Sequence, residues 1–142
     1  MPTNLDLTQA IRGKILAALK ADTDLSAVVA GRIYPQAVPA TLTYPYIKIG
    51  SPITTPQFID GGDGCDYSAA IHCFTKKKGG ALPPEEMAMA INAHVVRILN
   101  AIEVSEIGDS LTLDIFPRQA QTMLDGDADS FHGFVTFDAS AS

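Results

Sequence analysis

The chain has 142 residues, of which 46% are hydrophobic and 18% charged, a size and composition that suit one folded domain spanning residues 1–142 and argue against disorder. Sixteen acidic against ten basic residues leave a net charge of −6, which disfavours adhesion to a nucleic-acid backbone or an anionic membrane. No apolar run approaches the ~20 residues needed to cross a bilayer.

Leu7, Ile11, Ile15 and Leu19 recur at helical spacing, which predicts an amphipathic helix from near Asp6 to near Ala21. Asp6 and Gln9 have the spacing of a capping box. Thr23 or Asp24 is expected to cap a short second helical turn through Leu25, Val28 and Val29, stopped by Gly31 in a left-handed conformation. An extended piece begins at Arg32-Ile33-Tyr34. Pro35, Pro39 and Pro45 follow, and Pro45 holds Tyr44 away from helical angles. Tyr46 to Gly50 reads as a short strand with Ile47 and Ile49 on one face and Tyr46 and Lys48 on the other. Ser51 to Gly64, with its prolines, glycines and aspartates, reads as a long mobile loop.

Cys65 to Thr75 alternates as a strand: Tyr67, Ala69, Ile71 and Cys73 point one way, Asp66, Ser68, Ala70, His72 and Phe74 the other. Lys76-Lys77-Lys78-Gly79-Gly80 forms the next turn. Pro83-Pro84 with Glu85-Glu86 opens a second helix, whose buried stripe is Met87, Ile91, Val95, Ile98, Leu99 and Ile102. Leu111, Leu113 and Ile115 define a strand that runs past Pro117 as a bent edge toward Met123. Asp125-Gly126-Asp127 is a turn. The last strand, Phe131 to Ala139, places Phe131, Val135 and Phe137 on one face and His132, Phe134 and Thr136 on the other. The expected fold is α+β: a mostly antiparallel sheet of four to five strands with two main helices packed on one face.

Nothing marks the chain for export: Asp6 stands where a signal peptide carries positive charge, and Arg12, Lys14 and Lys20 break the adjacent apolar stretch. Cys65 and Cys73, eight positions apart on one strand, are separated by about 27 Å and cannot bridge each other. A reduced setting with two free thiols fits this pattern.

The motifs that carry chemistry elsewhere do not assemble here. The lysines of Lys76-Lys77-Lys78-Gly79-Gly80 precede the glycines and no Ser or Thr follows, so a solvated hairpin turn is favoured over a phosphate loop. Glu85 and Glu86 point about 100° apart on a helix and do not converge as an acid/base pair. Gly61 to Asp66 matches the opening of a calcium-binding glycine-rich repeat, but such repeats work only when stacked. Asp125, Asp127 and Asp129 are spaced like an EF-hand opening, yet Ser130 and Thr136 occupy the positions that require Gly and Glu. His72, His94 and His132 lack metal-ligand pair spacing with the cysteines. No cofactor, metal or catalytic residue is expected, and enzymatic function has no positive support.

If Ile71, Leu113 and Val135 face the helices, then Phe74, Phe116 and Phe134 lie on the opposite face with His72 and His132 beside them. Such a patch either marks contact with a partner or is covered by Phe58, Ile59 or another part of the long loop.

Read in order, Gly31-Arg32-Ile33-Tyr34, Tyr44-Pro45-Tyr46-Ile47-Lys48-Ile49-Gly50, the polar loop before a strand ending in His72-Cys73-Phe74, the helix from Pro84 and the closing FHGFVTFDA of Phe131 to Ala139 resemble the tail-completion, or tail-terminator, proteins of long-tailed bacteriophages and gene transfer agents. The resemblance spans nearly the whole chain. It implies a structural α+β subunit, assembled in the bacterial host cytoplasm, that forms a homo-hexameric ring on the head-proximal end of the tail tube. That ring halts tube polymerisation, docks to the head connector (stopper) protein and lets DNA pass without specific binding; no membrane or cofactor is involved. A ring requires two different complementary faces per subunit. The candidate contact residues are Asp60, Asp63 and Asp66, Lys76, Lys77 and Lys78, and the patch of His72, Phe74, Phe116, His132 and Phe134. The competing expectations are another head–tail joining (neck) protein or a non-catalytic module that binds a small ligand.

Overall fold

A computed structural model describes residues 7–59, 62–77, 83–102, 105–107 and 111–141. In chain order they form α1 (Thr8–Ala21), α2 (Thr23–Val29), β1 (Ile33–Tyr34), β2 (Tyr46–Ile49), β3 (Ile53–Ile59), β4 (Gly62–Lys76), α3 (Pro84–Ala101), β5 (Ser105–Ile107), β6 (Leu111–Asp125) and β7 (Asp127–Ala141). The α+β class is as expected, but the sheet is larger than four or five strands. Among the described residues it has seven, in the order β1-β2-β4-β7-β6-β5, with β3 paired to β4 off that path. Every pairing is antiparallel except the short parallel match of β1 with β2.

The helices share one face of the sheet, and the core lies between them. Ile11, Ile15 and Leu19 of α1, Leu25 and Val29 of α2, and Ile91, Val95 and Leu99 of α3 are buried against Ile47, Ile49, Tyr67, Ile71, Leu113, Val135 and Phe137 of the sheet. These are the apolar positions at helical spacing on one side and at period two on the other, so both patterns converge on one layer.

Two local expectations are corrected. The cap of α2 is Asp22, not Thr23 or Asp24: its carboxylate accepts the Leu25 N–H at 2.9 Å, and Ala30 and Gly31 both take left-handed angles at the far end. Leu7 precedes α1 without a side-chain cap, and Asp6 lies outside the described residues. Within the segment expected as a long loop, Ile53–Ile59 and Gly62 to Gly64 are strand. Ile53–Ile59 pairs residue by residue with Gly62–Ser68 as a hairpin, and Pro56 sits within it because β3 is an edge strand, where a missing N–H is tolerated.

Polar ties fix the helices to one another and to the sheet. Arg97 of α3 donates to both Asp22 oxygens at 2.9 and 3.0 Å and to His94 Nδ1 at 3.0 Å, so one carboxylate caps α2 and clamps α3. These bonds, Arg97's first and then that of the Leu25 N–H, hold Asp22 at about 2. The buried Asn92 amide donates to the Gln121 carbonyl of β6 at 3.0 Å. Its Oδ1 lies 3.7 Å from Cys73 Sγ, and Cys73 faces Gly133 across β4 and β7. Burial pushes the Cys73 thiol up to about 12. Both cysteines are buried.

Candidate interaction surface

Strand register explains what the helix-free face presents. Four strands place Tyr46, Phe74, His132 and Met123 in one cross-strand row and Lys48, His72, Phe134 and Gln121 in the next. Alternation sends these side chains away from the helices, because their strand neighbours Ile47, Ile71, Cys73 and Val135 point into the core.

The first row is a continuous aromatic stack. Phe74 lies 5.0 Å from Tyr46 and 4.5 Å from His132, with interplanar angles of 21° and 10°. Tyr44 and Tyr34 extend it, with centroids 5.4 and 6.3 Å from Tyr46. His72 Nδ1 and His132 Nε2 meet at 2.7 Å and tie the two rows together. The Lys48 ammonium stands 5.9 Å from the Phe74 centroid and that of Lys76 5.8 Å from Tyr44, each a cation–π arrangement. Gly50 is required beside this cluster: a Cβ there would fall 2.8 Å from His72 Nε2. Burial, followed by the neighbouring His132 and Lys48, lowers the His72 pKa; burial also lowers that of His132, opposed by Asp125 and aided by Lys48.

The patch therefore differs from the expected one in two respects. His72, Phe74, His132 and Phe134 are half-buried, and the cover on Phe74 comes from Tyr46, with Tyr44 tilted against the far side of Tyr46. The side chains of Phe58 and Ile59 lie outside the described residues. Phe116 does not join the cluster. It pairs with Asp138, whereas Phe134 pairs with Gln121 and His72, and four residues along a strand is about 13 Å. The small row of Ala70, Thr136 and Gln119 lies between.

Phe116 belongs to a second feature. Asp138 accepts from Ser68 Oγ and from Arg118 Nε, both at 2.8 Å, and the Arg118 guanidinium lies 5.8 Å from the Phe116 centroid. Ser68 first and Arg118 second hold the Asp138 carboxyl below its usual value. Asp66, Ser68, Phe116, Arg118, Asp138 and Ser140 line a shallow cleft of about 350 Å³ here. Of the other expected contact residues, Lys76 and Lys77 are exposed at the end of β4, where the Lys77 N–H donates to the Asp129 carbonyl at 2.8 Å. Asp60, Lys78 and the side chain of Asp63 lie outside the described residues.

A third feature was not anticipated. Among the described residues, β5 pairs with β6 from Leu111 to Leu113. Beyond that point, Ala120, Gln121 and Thr122 form a groove of about 330 Å³ with Met89, Asn92, Ala93 and Val96 of α3. Met89 is 51% exposed, and Leu124, at the β6–β7 turn, 61%. The signals were present: Met89 lies off the buried stripe of its helix, and Met123-Leu124 is an apolar pair directly before a turn.

Among known families, residues 13–141 match the tail completion protein gp17. Among solved structures, a chain of the virion of a native gene transfer agent particle superposes with a TM-score of 0.79 at 20% identity, covering 97% of this chain and 98% of that one. The bacteriophage SPP1 gp17 protein superposes with a TM-score of 0.57 at 18% identity, covering 92% and 88%. Curated proteins give no match. The family match takes in both strand rows, the α3 groove and all but the first turn of α1, and on that basis the chain belongs to the tail completion protein gp17 family.

Proposed function

We propose that the chain is a structural, non-catalytic terminator of a phage or gene transfer agent tail: six copies close into a ring on the head-proximal end of the tail tube, stop its growth and dock it to the head connector. The observation that carries this reading is the family match over residues 13–141. The geometry is compatible with it. A closed ring of identical subunits needs two unlike surfaces on each, and the aromatic rows and the α3–β6 groove are chemically distinct surfaces that meet different sides of β6. The Asp138 cleft supplies a polar contact region beside them.

Particles assembled without this polypeptide test the proposal. Electron micrographs should show tails of uncontrolled length and heads without tails, and adding the purified chain should restore both. Native mass spectrometry of the chain, alone and with tube protein, should find a hexamer. Tails of normal length joined to heads in its absence would overturn the assignment.

A further inference from the structure

The His72–His132 contact has a property that neither ring has alone. Either nitrogen can hold the proton of an N–H···N bond at 2.7 Å, so the bond exists when both rings are neutral and survives one added proton. It cannot survive two, because the two N–H groups would then point at each other.

The surroundings reinforce this limit. Lys48 of β2 stands opposite His72 and acts against charge on both rings, while Asp125 at the end of β6 favours charge on His132 only. Lys76, two positions along β4 from Phe74, has its ammonium directed at Tyr44, and Tyr46 stacks on Phe74 rather than on either imidazole. His72 is confined on its other nitrogen by the bare backbone of Gly50. It therefore has little room to turn while the bond stands.

We propose that His72 and His132 form a proton-operated latch on the helix-free face: closed when both rings are neutral or share one added proton, opened by a second added proton, which parts the rings and breaks the Phe74–His132 stack. Resting on the reading of this face as a docking surface, the latch makes docking weaken in acid.

The test is a nuclear magnetic resonance titration of the isolated chain from about pH 8 to about pH 4.5, following the imidazole signals with His94 on α3 as the ring outside the pair. His72 and His132 should move together in two coupled steps, with a nitrogen–nitrogen coupling through the hydrogen bond that disappears at the second. In His132→Gln the amide keeps a partner for His72, which should then titrate in one step; His72→Gln is the mirror variant. Two independent single-step titrations, or no through-bond coupling at about pH 8, would overturn the latch. If the coupled steps appear but binding to tube ends is unchanged across them, the latch stands and the docking role of this face falls.

Discussion

Gly133→Ala is the sharpest test of how α3 is keyed to the sheet. A Cβ at Gly133 would lie 2.7 Å from Cys73 Sγ and 2.9 Å from Asn92 Oδ1, the first about 0.8 Å inside an ordinary contact of roughly 3.5 Å. Neither neighbour yields freely: Cys73 is buried on the adjacent strand, and Asn92 is held by its bond to the Gln121 carbonyl. Overpacking of this kind costs about 1–3 kcal/mol, and the upper half of that range is expected because two neighbours are struck at once. Cys73→Ala removes the sulfur but leaves Asn92, so the double variant should recover about half of the loss, a coupling of about 1 kcal/mol. Urea denaturation followed by circular dichroism measures all three variants, with a fall in Tm of about 2–4 °C per kcal/mol as a second readout. A single variant within about 0.5 kcal/mol of the parent, or strictly additive effects, would refute the argument that this contact is tight.

Because burial lowers the pKa of both His72 and His132, the unfolded chain binds more protons than the folded one as pH falls through 6.5. The stability these rings contribute is therefore complete above that value and is lost below it, and urea midpoints measured on either side should fall toward acid. Asp22 acts at lower pH: its depressed pKa of about 2 makes its contribution present above the ordinary 3.8 and lost between 3.8 and 2, so Asp22→Asn should flatten the acid limb of the same profile. Cys65 and Cys73 should resist alkylation in the native chain and react only in urea, and rapid native labelling would contradict their burial. Leu124→Asp and Met89→Asp, at exposed positions, should change stability by less than about 0.5 kcal/mol while impairing tail completion; unchanged particle yield would remove the α3–β6 groove and the adjoining turn from any interface.

Much of this architecture is legible wherever a side chain's neighbours in sequence decide its fate. The stripe of Ile91, Val95 and Leu99 and the alternation of Tyr67, Ile71 and Cys73 state their own periods, and both are buried as those periods require. Ile53–Ile59 is illegible for the opposite reason. Its Pro56 and the glycines after it carry loop composition, and only pairing with β4, a contact settled by a partner strand, makes it extended. The same non-local cause separates Phe116 from Phe134. Period two places both on the helix-free face, but register decides that one lies beside Asp138 and the other beside His72. Asn92 is a polar residue inside an apolar stripe, and it is buried because the Gln121 carbonyl on a strand some thirty positions away receives its amide.

The length of β4 has a mechanical consequence. Its fifteen residues extend for about 46 Å, and the same uninterrupted strand carries Ser68 of the cleft and His72 and Phe74 of the two cross-strand rows. With β7 bonded alongside from Cys65 to Lys76, the two strands act as a stiff ruler with its marks engraved. Whatever seats at one mark is held at a set offset from whatever seats at the other, so a ring built from such rulers would inherit its dimensions from a single strand.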